Sequence, residues 1–148
     1  MNVSGDSGNK VEARSRQLSV LSPYPIPAAL NGRKVCNLGD GFILRAIERH
    51  LGLTMPMQNV MSPRIAQDAL SKHLMSSTRA TILAGANQLN DRFTIWPGLT
   101  AAELEESAYC FIPFGLGIHG EVGFNTRMSS ETARILEIVH ERIPYSSW

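Results

Sequence analysis

Three polar, glycine-rich segments hold the side chains with which this chain could do chemistry: Asn37-Leu-Gly-Asp-Gly41, Gly85-Ala-Asn-Gln-Leu-Asn-Asp91 and Gly115-Leu-Gly-Ile-His-Gly-Glu121. In the first, Gly39 and Gly41 allow close backbone approach at a helix start, where free N–H groups and the helix dipole favour a phosphate or carboxylate. Asp40 competes for those N–H groups as an N-cap and adds negative charge, so the segment reads equally well as a capped turn. In the second, Asn87, Gln88 and Asn90 are neutral groups suited to sugar hydroxyls or to fixing a backbone turn. In the third, His119 can move a proton near neutral pH or contact a phosphate, set against the commoner solvent-facing histidine. Arg127, just beyond, is either an anion contact or a solvated surface arginine.

Several familiar chemistries are excluded. Gly115, Gly117 and Gly120 spell G-x-G-x-x-G after a strand, but a dinucleotide fingerprint needs a helix opening inside the glycine run, and Glu121 to Met128 intervene. His119-x-Glu121 lacks the P-C-x-x-C of a zinc deaminase. Cys36 and Cys110 stand 74 apart, without the paired spacing of a zinc site and too few for a disulfide framework. No nucleophile elbow and no P-loop lysine is present, and neither a metal nor a bound cofactor is expected.

The elements that must position these segments follow from composition and periodicity. A chain of 148 residues, 43% hydrophobic and 18% charged, suits one globular domain. With 14 Lys and Arg against 13 Asp and Glu, nothing in the balance announces nucleic acid or an anionic membrane. Apolar runs are too short to span a bilayer and no secretory signal precedes them, so a cytoplasmic location is expected. Residues 1–16 read as a disordered tail and 17–148 as the domain.

Gln17 to Ser22 alternates as a strand and runs into Pro23, Pro25 and Pro27. Asp40 then opens a helix with Ile43, Leu44, Ile47 and Leu51 on one face, ended by Gly52. A short strand over 58–61 precedes a second helix in which Ala66, Ala69, Leu70 and Leu74 recur through about Ser76. Ala80 to Ala84 reads as a strand buried on both faces, Thr100 caps a helix over 101–107, and Tyr109 to Phe114 is another buried strand. A last helix begins at Ser129 or Ser130, aligns Ala133, Leu136, Val139 and Ile143, and stops at Pro144. The alternation predicts an α/β, Rossmann-like three-layer domain with a mainly parallel sheet, its sites beyond the carboxyl ends of the strands.

Asn37-Leu-Gly-Asp-Gly-Phe-Ile-Leu-Arg-Ala-Ile-Glu-Arg, Ile82-Leu-Ala-Gly-Ala-Asn-Gln-Leu and Pro113-Phe-Gly-Leu-Gly-Ile-His-Gly together resemble the polysaccharide pyruvyl transferase family. The first is similar to its N-x-G-D element, the second to its strand and Gly-rich turn, the third to its P-x-x-G-x-G turn, and Ser129 to Arg142 to the helix that follows. The resemblance implies an incomplete N-terminal half of a B-type glycosyltransferase fold. It further implies transfer of a pyruvyl group from phosphoenolpyruvate to a sugar hydroxyl in surface-polysaccharide synthesis, with phosphoenolpyruvate as donor substrate and no other cofactor. His119 and Asp40 would be catalytic. Asn37, Gly39, Gly85, Asn87, Gln88, Gly115, Gly117 and Arg127 would bind substrate. The partners implied are a small-molecule donor, a glycan acceptor, and a second copy or a complementing C-terminal domain. A non-catalytic sugar- or anion-binding domain and half of a nucleotide-sugar glycosyltransferase remain alternatives, because fold does not fix function.

Overall fold

The computed structural model describes residues 15–24, 38–51, 59–85, 88–117 and 127–143. Its elements run β1 (Ser15–Leu21), α1 (Leu38–Leu51), β2 (Val60–Met61), α2 (Ala69–Ser77), β3 (Thr78–Ala84), α3 (Ala101–Glu106), β4 (Phe111–Phe114) and α4 (Ser130–Glu141). The four strands form one sheet in the order β2-β1-β3-β4. Every pairing is parallel: Val20 lies opposite both Val60 and Ile82, and Thr81 opposite Phe111. The chain steps from β1 to β2 on one side and then crosses to β3 on the other, so the strand order reverses between β1 and β3. In an open α/β sheet that is where a ligand crevice forms.

Alternation along the strands sends side chains to two different cores, making three layers. On one face Leu44 and Ile47 of α1 pack on Val20, Val60, Ile82 and Ala84. On the other, Met75 of α2, Leu104 of α3 and Ile135, Ile138 and Val139 of α4 pack on Leu21, Met61, Leu83 and Phe111. The second core is completed by the connection after β3, which buries Leu89, Phe93, Ile95, Trp96 and Leu99. Trp96 meets Tyr109 and Phe111 edge-on at 5.8 and 5.9 Å between ring centroids. Burying such aromatics contributes about 1.5–3 kcal/mol each.

A buried connection must also satisfy its backbone. Ser129 N donates to the carbonyl of Asp91 at 2.9 Å. Thr132 Oγ1 lies 3.0 and 3.1 Å from the carbonyls of Phe93 and Asp91, and Thr94 Oγ1 lies 2.9 and 3.1 Å from those of Leu99 and Trp96.

Two helix faces differ from the sequence reading. The second helix starts at Ala69, because Asp68 caps it by accepting the Ser71 N–H at 2.8 Å. Its core contacts come from Leu74 and Met75, which leaves Leu70 in solvent. In α4 the inward stripe is Thr132, Ile135, Ile138 and Val139, with Ala133 and Leu136 only half-buried. Thr132 sets that rotation by turning its hydroxyl into the carbonyls of the 88–100 connection.

β4 contains a proline, and its register explains why one is tolerated. Thr81 N donates to the Cys110 carbonyl at 2.8 Å and Gly85 N to that of Phe114 at 3.4 Å, so the even-numbered residues bond to β3. Pro113, odd-numbered, turns its nitrogen away from the ladder, where no donor is missed.

Candidate functional site

The carboxyl edge of the sheet collects the ends of β1 and β3, the starts of α1 and α2, and the turn after β4. β1 and β2 are tied there by Ser22 N donating to the Met61 carbonyl at 2.9 Å. Gly41 lies in the first turn of α1 against the Tyr24 ring, where an added Cβ would sit 2.6 Å from Tyr24 Cε2. A side chain at this position would have to displace the Tyr24 ring, so glycine lets the ring lie against the helix start.

Asp40 occupies the first helical turn of α1 rather than a cap position before it, since the helix begins at Leu38. The residue is 5% exposed, and among the described residues its buried Oδ2 has no hydrogen-bond partner. Among the described residues the cation beside it is Arg64, whose Nη2 lies 3.5 Å from Oδ2 and whose side chain is largely exposed. That separation is a charge contact with no hydrogen bond made. Arg64 follows β2 directly, and its backbone N–H is fixed by Ser62 Oγ at 3.3 Å. The pair thus offers a carboxylate oxygen in need of a donor and a guanidinium with donors to spare, both beside the positive end of the α1 dipole.

On the far side of the switch point, the turns after β3 and β4 are zipped together by Leu89 N donating to the Gly117 carbonyl at 3.0 Å. Gly85 is buried at this seam, where a Cβ would run into Leu116 Cδ2 and come within 2.9 Å of Gln88 Nε2. Gln88 folds its side chain back, donating to the Ala84 carbonyl at 3.4 Å. Gly115 adopts φ +72°, a left-handed conformation that favours glycine, with its Cβ direction toward the Gly85 carbonyl.

A shallow groove of about 600 Å³ lies where α3 and α4 both begin, and is lined by Arg92, Phe93, Leu99, Thr100 and Ser129 among others. The α3 start is already occupied, since Glu131 Oε1 accepts the Ala101 N–H at 2.6 Å.

Of the residues singled out in the sequence, Gly39, Asp40, Gly85, Gln88, Gly115 and Gly117 all fall on this one edge. Gly85 and Gln88 are engaged in packing the seam. Arg127 is exposed ahead of α4. Asn37, Asn87 and His119 lie outside the described residues. Arg64 was missed. Its signal was a cation immediately after a strand, in the Ser62-Pro-Arg64 sequence.

Among the described residues no group of three or more His, Cys, Asp or Glu is placed to hold a metal ion. Among them, too, no helix is long and apolar enough to cross a membrane. No family model, curated protein or solved structure matches the chain.

Proposed function

We propose that this chain is the N-terminal, Rossmann-like part of a polysaccharide pyruvyl transferase-like protein. It would act in the cytoplasm on phosphoenolpyruvate and a sugar hydroxyl in surface-polysaccharide synthesis. The observation that carries the reading is the buried, unpartnered Oδ2 of Asp40 in the Asn37-Leu-Gly-Asp40 element. A buried acceptor without a donor costs about 1–3 kcal/mol, and more when charged, which a ligand hydroxyl placed there would recover.

In this reaction the donor's methylene carbon takes up a proton and becomes a methyl group. A sugar hydroxyl oxygen bonds to the adjacent carbon and loses its proton, the C–O bond to phosphate breaks with its electron pair leaving on phosphate, and a second hydroxyl oxygen bonds to the same carbon, giving up its own proton to the departing phosphate and closing the ketal. Asp40 accepts the hydrogen bond of an attacking hydroxyl, and Arg64 opposes the carboxylate or phosphate of the donor. His119 is the proposed proton donor. Asn37, Asn87, Gln88 and Arg127 are proposed contacts of the same substrates. The remainder of the donor site comes from a complementing C-terminal domain or a second copy.

Calorimetric titration of the chain with phosphoenolpyruvate, then with UDP-sugars, at low salt tests the reading. Saturable phosphoenolpyruvate binding that weakens in Asp40→Asn supports it. Binding of UDP-sugars in its place would make the chain half of a nucleotide-sugar glycosyltransferase. A folded sample that takes a glycan without the donor would make it a non-catalytic sugar-binding domain.

A further inference from the structure

β1 and β2 run out into the same sequence pattern. Val20-Leu-Ser-Pro-Tyr24 matches Val60-Met-Ser-Pro-Arg64 position by position, a valine, a long apolar residue, serine, proline and then a large side chain. Strand pairing lays the two copies side by side. Val20 lies opposite Val60 and Leu21 opposite Met61, and the Ser22 N–H bonded to the Met61 carbonyl at 2.9 Å carries the register on to Ser22 and Ser62. Both serines are buried and fold the chain in the same way, Ser22 Oγ accepting the Tyr24 N–H at 3.2 Å and Ser62 Oγ the Arg64 N–H at 3.3 Å. Tyr24 and Arg64 therefore hold equivalent positions in two matched turns at the carboxyl edge.

Consecutive residues in the first turn of α1 meet these two side chains. Asp40 faces Arg64, with Oδ2 3.5 Å from Nη2, and Gly41 faces Tyr24, whose Cε2, Cδ2 and Cζ would lie 2.6, 3.0 and 3.2 Å from a Cβ placed there. One edge of the Tyr24 ring thus runs along Gly41, and the ring packs against the core beneath α1 while staying only half-buried. A separate observation points to a ligand. Asp40 is 5% exposed, and among the described residues nothing donates a hydrogen bond to its Oδ2. What completes the place must bring a donor to Oδ2 and an apolar surface to a ring one residue along. A free phosphate or carboxylate brings neither. A pyranose brings both, with hydroxyls around its rim and C–H groups across a face.

We propose that Tyr24 is the platform for the sugar, a pyranoside whose C–H face packs on the phenol ring while one of its hydroxyls donates to Asp40 Oδ2. Calling that sugar the acceptor rests on the transferase reading above, in which Arg64 belongs to the donor. The matched turns then divide the work, the β1 turn presenting an aromatic ring to the acceptor and the β2 turn a guanidinium to the donor's anionic groups. Gly41 is a positioning residue that acts through Tyr24, because its missing side chain leaves the ring its place.

Ligand-observed NMR titration of the 148-residue chain with methyl β-D-glucopyranoside, methyl β-D-galactopyranoside, glucitol and uridine, beside phosphoenolpyruvate, tests the proposal. At least one methyl glycoside is expected to bind, and glucitol, which has the hydroxyls without the ring, should not. Tyr24→Leu keeps an apolar group against Gly41 and should weaken the glycoside by about threefold or more. Tyr24→Phe keeps the ring and should restore wild-type affinity. Gly41→Ala leaves Tyr24 in the chain but pushes its ring aside, and should weaken the glycoside comparably. Leu51→Ser, exposed in the last turn of α1, should change nothing. Thermal melts verify that every variant folds. No glycoside binding by the folded wild type, equal binding of glucitol, undiminished binding in Tyr24→Leu, or uridine taken in place of the glycosides would overturn the proposal. If phosphoenolpyruvate still binds in that event, the transferase reading stands and only the platform is lost. Glycoside binding that depends on Tyr24, in a chain that takes no phosphoenolpyruvate, keeps the platform and removes the transferase.

Discussion

Gly85→Ala is the most direct probe of how the two turns beyond the switch point are held. The new Cβ would overlap Leu116 Cδ2 and press on Gln88 Nε2 at 2.9 Å. Gln88 ends in a flexible amide and can move, whereas Leu116 is 3% exposed and confined by the core. Relieving the overlap requires Leu116 to shift by about an ångström, and such overpacking typically costs about 1–3 kcal/mol. Alanine also restricts the unfolded chain, which returns about 0.4–1 kcal/mol. A net loss of about 1–2 kcal/mol follows, which should lower the urea midpoint by roughly 1 M at the slopes usual for small domains.

The decisive measurement is a double-mutant cycle in urea. Leu116→Ala alone should cost about 2–5 kcal/mol by opening a cavity. In its presence Gly85→Ala should cost almost nothing, because the methyl group it strikes has gone. A coupling of at least about 1 kcal/mol is therefore expected. Strict additivity, or a Gly85→Ala protein as stable as the wild type, would show that the seam is not packed as described.

Other perturbations test the remaining contacts. Arg64→Met removes the only charge partner of Asp40 among the described residues and should cost about 1–2 kcal/mol, the lower end of the Coulomb range for 3.5 Å because the guanidinium is solvated; an unchanged urea midpoint would refute the pairing. Thr132→Val keeps the shape of α4 but strips the carbonyls of Asp91 and Phe93 of a donor, for a loss of about 1–3 kcal/mol in the same assay. Stability should also fall in alkali. Burial holds the Tyr109 phenol above its ordinary 10.0, and the Glu103 hydrogen bond holds the Lys72 ammonium above its ordinary 10.5. Each contribution is complete below the ordinary value and lost as pH rises through the raised one, so melting temperature should decline above about pH 10. Tyr109→Phe should make that decline shallower, and an identical profile in the variant would remove Tyr109 from the account.

The layered α/β fold was legible because strands and helices alternate with different periods, and because Thr100 and Ser129 announce helix starts by residue type. What the sequence obscured were choices made by tertiary contacts. Leu70 continues the apolar period of α2, yet the Asp68 cap shifts the helix start and leaves that side chain overhanging the edge. Ala133 and Leu136 fit one stripe of α4 as well as Ile135 and Ile138 fit another, and Thr132 decides between them through carbonyls some 40 residues away. The candidate site divides in the same way. Its glycines and Asp40 could be singled out from turn chemistry alone. Arg64 could not, because an isolated arginine acquires meaning only when a buried carboxylate is found beside it.

The pairing of β1 with β3 has a consequence for how the chain is made. Leu21 and Leu83 face each other across 62 intervening steps of sequence. At a synthesis rate of about 5–20 residues per second, β1 leaves the ribosome roughly 3–12 s before its main neighbour exists. Throughout that interval the edge that β3 will cover is unsatisfied, and only the two residues of β2 arrive earlier to pair the other. The vulnerable moment in this protein's life is thus vectorial. Conditions that slow elongation between α1 and β3 should trap nascent chains on chaperones, whereas slowing it after β3 should do little.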